Sequence, residues 1–99
     1  TLPRPPATGT AVEDGRLGEL LVDQWLGSTA GDGWGGDHFV TWRDGTRSCI
    51  AVYLAADTPD DLAQMQTAAQ SWVAEATADR TVTTATADDR TLLRATGCA

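Results

Sequence analysis

Asp32, Asp37 and His38 flank Trp34 in the stretch Gly31-Asp32-Gly33-Trp34-Gly35-Gly36-Asp37-His38-Phe39. Two carboxylates and an imidazole form an acid–base group when a cleft brings them within hydrogen-bond reach of a substrate. An indole set among glycines either plugs a core edge or stacks on a peptide, sugar or partner surface. Gly31, Gly33 and Gly36 also fit the G-x-G-x-x-G spacing of dinucleotide-binding turns. That chemistry needs a strand before the glycines and a helix after them, so that pyrophosphate meets the helix N-terminus. Here a helical pattern precedes and a strand pattern follows, so the polarity is reversed. No G-K-[ST] phosphate loop is present either.

The remaining reactive groups are few. His38 is the only histidine, whereas a catalytic zinc usually takes two or three imidazoles. Asp57, Asp60 and Asp61 could suggest a hard cation, but they lack the alternating acids and terminal Glu of a helix–loop–helix calcium site. A helix start explains them fully. No cofactor and no metal ligand set is therefore expected. Cys49 and Cys98 are the two cysteines, without a C-x-x-C redox or zinc motif. They are either one disulfide or two separate thiols, and we favour the disulfide. It would close a loop of about 50 residues, worth roughly 4 kcal/mol in the chain-entropy account. It would also point to an extracytoplasmic location.

These groups must be positioned by one domain, because 99 residues bury roughly two thirds of their unfolded surface and support a single modest core. Asp plus Glu number 14 against seven Arg and no Lys, a net charge of −7. Nucleic acid and anionic membranes require clustered positive charge, so neither is an expected partner. No apolar run approaches the ~20 residues of a membrane span.

Residues 1–13 carry Pro3, Pro5 and Pro6 without apolar periodicity and read as an extended linker; the domain proper is expected over 14–99. Leu17, Leu20, Leu21 and Trp25 recur at helical spacing, with Asp14 as N-cap and Gly27 as terminator. His38 to Trp42 and Ser48 to Ala55 read as strands joined by Asp44-Gly45, a hairpin signal. Ile50, Val52 and Leu54 share one face of the second strand, and Cys49, Ala51 and Tyr53 the other. Both faces are apolar, which predicts a central strand. Asp57 or Thr58 caps the next helix, Pro59 suits its first position, and Leu62, Met65, Ala69, Trp72, Val73 and Ala76 carry it to about Ala78. Thr81 to Thr86 and Thr91 to Thr96 form a second hairpin about Asp88-Asp89-Arg90. The expected fold is α+β, in the order α-β-β-α-β-β, with two helices on one face of a mainly antiparallel four-stranded sheet. Trp25 and Trp72 fall on helical core positions and Trp42 shares a strand face with Val40. Trp34 alone has no pattern to bury it.

Leu17-Gly18-Glu19, Gly33-Trp34-Gly35-Gly36-Asp37, Phe39, Ile50 to Leu54 and Asp57-Thr58-Pro59-Asp60 stand in an order that resembles the C-terminal region of a group of bacterial cell-envelope proteins. Many of those are lipoproteins or neutral zinc metallopeptidase-like proteins. The resemblance covers about residues 16 to 75. It departs at Ala56, where the related sequences often carry Trp, and the last hairpin with Cys98 has no counterpart. Their peptidase chemistry resides in a His-Glu-x-x-His helix that this chain lacks, so no catalytic residue carries over. The resemblance implies a non-catalytic accessory domain, secreted or envelope-anchored, of uncharacterised function. Its partner would be an upstream domain of the same polypeptide, or an envelope protein or peptide. Trp34, Asp32, Asp37 and His38 are then the candidate contact residues. Two other readings stand beside this one: a small enzyme using Asp32, Asp37 and His38, and a purely structural domain.

Overall fold

In a computed structural model of the chain, residues 2–75 and 79–99 are described. The elements are β1 (Thr10–Gly15), α1 (Glu19–Leu26), α2 (Ser28–Asp32), β2 (Trp34–Asp44), β3 (Arg47–Ala56), α3 (Pro59–Ala74), β4 (Arg80–Ala87) and β5 (Arg90–Cys98). The strands form one antiparallel sheet in the order β1-β2-β3-β5-β4. The class is α+β as expected, and β3 is central. Among the described residues, however, there are five strands in the sheet and three helices, where four and two were expected.

The additions have local causes. Thr10–Gly15 lies in the stretch read as linker, and it pairs with β2 from Thr10↔Arg43 to Gly15↔Phe39 around a bulge at Val12. Asp14 is thus a strand residue, and the residue preceding α1 is Gly18, which has no side-chain cap. α2 is a single five-residue turn whose Gly and Ser content conceals it from periodicity. β2 begins at Trp34 rather than His38, because Trp34 and Gly36 pair with Ala56 and Ala55 across a second bulge. α3 matches its expected start: Pro59 opens the helix, and the Thr58 side chain accepts from the Asp61 N–H at 3.1 Å. It ends at Ala74, and the expected last turn to Ala78 falls partly outside the described residues.

Alternation on β3 divides the apolar side chains between two layers. Val52 and Leu54 join Leu93 of β5, Val22 of α1, Ala30 of α2, and Met65 and Ala69 of α3 in the main core. On the other face Val40, Trp42, Cys49 and Ala51 form a second cluster that touches Ala7, while Leu2 packs with Ala55 and Leu92. The proline-rich segment is extended, as its prolines dictate, but Leu2 and Pro5 are buried. It serves as the cover of this second face.

Cys49 and Cys98 stand opposite each other on β3 and β5 and are disulfide-bonded, with Cα atoms 4.1 Å apart. Ser48 and Ala99 exchange both backbone hydrogen bonds, so the cysteines occupy the adjacent non-hydrogen-bonded pair, where Cα atoms approach most closely. The β4–β5 turn places Asp88 at φ 52° and Asp89 at φ 62°, the sign of a two-residue type I′ hairpin. Glycine adopts this conformation without a Cβ clash. Asp89→Gly is expected to stabilise the fold by about 0.5–1 kcal/mol, read as a higher denaturant midpoint at unchanged slope.

Candidate functional site

The four residues that the sequence brings forward do not converge. Asp32 is exposed at the end of α2. Asp37 and His38 are successive residues of β2 and point to opposite faces of the sheet. Trp34 and Asp37 share a small depression of about 160 Å³ with Arg16 and Arg90, which neither Asp32 nor His38 lines. The arrangement required of an acid–base trio is therefore not formed.

Asp37, Trp34 and His38 have structural employment instead. Asp37 is 3% exposed and lies beneath the N-terminus of α1. Its carboxylate accepts from the Leu17 N–H at 2.5 Å, the Gly18 N–H at 3.0 Å and the Trp34 indole N–H at 2.9 Å. Asp37 thus supplies from β2 the N-terminal acceptor that Gly18 cannot provide, with its charge at the positive end of the helix dipole. Trp34 packs against the main core and closes this network. Gly33 permits the close fit: a Cβ there would collide with the Asp61 side chain, and its carbonyl accepts from the Asp57 N–H at 2.9 Å.

His38 holds the N-terminal segment. Nδ1 is 2.8 Å from the Leu2 carbonyl, which only accepts, so Nδ1 carries the hydrogen; Nε2 is 3.3 Å from Asp14. Arg4 lies 3.7 Å from the same carboxylate. His38→Ala is expected to cost about 1 kcal/mol, with faster amide exchange along the covered face around Ala51 and Ala55.

A wholly apolar depression of the surface lies elsewhere. Between α1 and α3 a cavity of about 260 Å³ opens on the helix side of the sheet. Leu17, Leu21 and Trp25 form one wall, Trp72 the other, and Ile50, Val52 and Ala95 the floor. Every one is apolar. The two tryptophans meet edge to face, with centroids 5.3 Å apart at 86°, a preferred aromatic geometry. Arg80 braces Trp72: its Cζ is 4.5 Å from the ring centroid and its Nη1 donates to the Trp72 carbonyl at 2.6 Å. Gly97 lies against the same ring.

The groove remains open because α1 has only eight residues and does not close over Trp72 of α3, which packs on the same face of the sheet. Leu21 in its wall is 48% exposed, and the preceding residue, Leu20, is 71% exposed. Ile50 also borders a second depression of about 380 Å³ toward the β1 edge, where Val12 is 64% exposed beside Thr41, Arg43 and Ser48. Sequence reasoning assigned Trp25 and Trp72 to the core and passed over the groove. Its signal was an α1 stripe too broad for so short a helix, with Leu20 and Leu21 adjacent.

Among the described residues, no three His, Cys, Asp or Glu side chains come together as a metal site, and no helix is long and apolar enough to cross a membrane. The chain matches no protein-family model, and no curated protein or solved structure is detectably similar to it.

Proposed function

We propose that this domain is a non-catalytic binding module that takes an apolar anchor of a polypeptide partner into the Trp25–Trp72 groove. The observation that carries the reading is the wholly apolar lining of that groove, with Leu21 in its wall half exposed and Leu20 beside it in sequence exposed. At about 260 Å³ it lies below the ~300–1,000 Å³ of sites for drug-sized ligands. It is scaled to one or two buried side chains, the usual form of an interface hot spot. A net charge of −7 disfavours an anionic lipid surface as the occupant. The disulfide agrees with an extracytoplasmic location, which extends the reading to a secreted or envelope-anchored protein. The resemblance to zinc-peptidase-like envelope proteins makes the C-terminal module of such a polypeptide the specific form of the proposal. A reading frame carrying a signal peptide and His-Glu-x-x-His ahead of Thr1 would support that form.

Bis-ANS, an apolar fluorescent dye, tests the groove directly. One dye molecule is expected to bind per native domain with energy transfer from tryptophan. Leu21→Asp is expected to weaken binding at least tenfold while changing stability by about 0.5–1 kcal/mol. A photo-crosslinker at position 20 should then capture one defined polypeptide in cells, and Leu21→Asp should abolish that adduct. Undiminished dye binding by Leu21→Asp would overturn the assignment of the groove.

A further inference from the structure

We propose that β4 is a self-association edge through which two copies of this chain join their sheets. This surface is separate from the groove and does not depend on its occupant. The two edges of the sheet are built differently. β1 carries a bulge at Val12, followed by the acids Glu13 and Asp14, the devices by which edge strands resist pairing. β4 has neither: from Thr81 to Ala87 it is unbroken, without charge, proline or bulge.

Hydrogen-bond parity fixes which of its groups are free to pair. The Cys98 N–H donates to the Asp79 carbonyl at 3.1 Å, so the odd residues 81, 83, 85 and 87 face β5. The backbone N–H and C=O groups of Val82, Thr84 and Thr86 consequently point away from the sheet. A two-fold antiparallel register with Thr84 opposite Thr84 sets Val82 against Thr86 of the second copy and uses all of these groups. The charges choose the same direction. One end of β4 holds Arg80, whose guanidinium lies on Trp72, and Arg47, bound to the Asp79 carboxylate, and the other holds Asp88 and Asp89 beside Arg90. Antiparallel pairing brings the net positive end of each copy to the net negative end of the other, whereas parallel pairing would set like ends together. A two-fold contact is also the commonest way in which soluble chains associate.

The test is sedimentation of the whole oxidised chain from roughly 10 μM to about 1 mM, the weak range for a specific contact. A reversible shift from monomer to dimer is expected. Thr84→Pro removes an outward N–H and no bond to β5, a position where an edge strand tolerates proline, and should remain monomeric with an unchanged near-UV spectrum. If that variant does not fold, amide exchange of the unmodified chain decides. The Val82, Thr84 and Thr86 amides should gain protection at least tenfold with concentration, while Thr83 and Ala85 should not change. A chain that is monomeric at about 1 mM, or a dimer whose β4 amides gain no protection, overturns the proposal, as does a folded Thr84→Pro that dimerises equally. Pairing of the edge with an extended peptide alone would show as the first of these.

Discussion

Asp37→Ala is expected to lower the unfolding free energy by about 3–4 kcal/mol, a fall in melting temperature of roughly 15 °C for a domain of this size. The carboxylate is 3% exposed and receives three N–H donors. Truncation leaves the Leu17 and Gly18 amides and the Trp34 indole without that acceptor in a partly buried place. A net hydrogen bond to a charged group contributes about 1.5–3 kcal/mol, and the donors left behind add their own desolvation. Asp37→Asn retains one acceptor oxygen and should recover part of the loss. Asp32→Ala should change stability by no more than about 0.5 kcal/mol, because Asp32 is exposed. The effect should also reach the groove. α1 carries Leu17, Leu21 and Trp25, so Asp37→Ala should weaken dye binding even where the domain remains folded, by letting that wall move. Chemical denaturation and bis-ANS titration on the same samples separate the two effects. Equal stability of Asp37→Ala and Asp32→Ala would mean that Asp37 does not position α1.

Much of the fold could be read from the sequence wherever a segment supplies its own pattern. The two hairpins, the two-faced β3 and the Thr58-Pro59 helix start each rest on neighbours in sequence and are present as expected, although the loop residues are Gly45-Thr46, with Asp44 paired to Arg47, and Asp88-Asp89, with Arg90 paired to Ala87. What escaped depends on distant partners. Thr10–Gly15 is polar and exposed over most of its length, so only its pairing with β2 makes it a strand. Leu2 and Pro5 become core residues because β3 and β5 offer a second apolar face. Gly33 to Gly36 reads as a loop because glycines carry no side-chain alternation, though two bulge-flanking pairs hold it in the sheet. The candidate site divides in the same way. That Asp37 has a special place was visible in its motif, but its role as the acceptor for α1 required 20 residues of chain to return over it. Trp25 and Trp72 were correctly placed on helix faces. That they leave a gap between them depends on the lengths of α1 and α3, which periodicity estimates poorly.

Reduction of the Cys49–Cys98 bond is expected to cost about 4 kcal/mol, since it closes a loop of about 50 residues in the unfolded chain with a sequence separation of 49. Against the roughly 5–15 kcal/mol typical of native domains, that leaves a fold close to its threshold at 37 °C. The denaturant midpoint of the reduced chain, or of Cys49→Ala with Cys98→Ala, should fall accordingly. A loss under about 1 kcal/mol would show that the chain-entropy account fails here. The position of the bond makes the effect local as well. It joins β3 to β5 beside Ile50 and Gly97, at the end of the sheet where Ile50 forms part of the groove floor. Apolar surface kept open for a partner is apolar surface withheld from the core. At that end the crosslink, with the Ser48–Ala99 backbone pair beyond it, supplies the restraint that a third helical wall would otherwise give. Reduction should therefore release the amides of Ile50 and Gly97 before those of Leu54 and Leu93, and should lower dye binding before global unfolding. Simultaneous exchange at both ends of the sheet would separate the disulfide from the groove and leave it a general clamp on the chain.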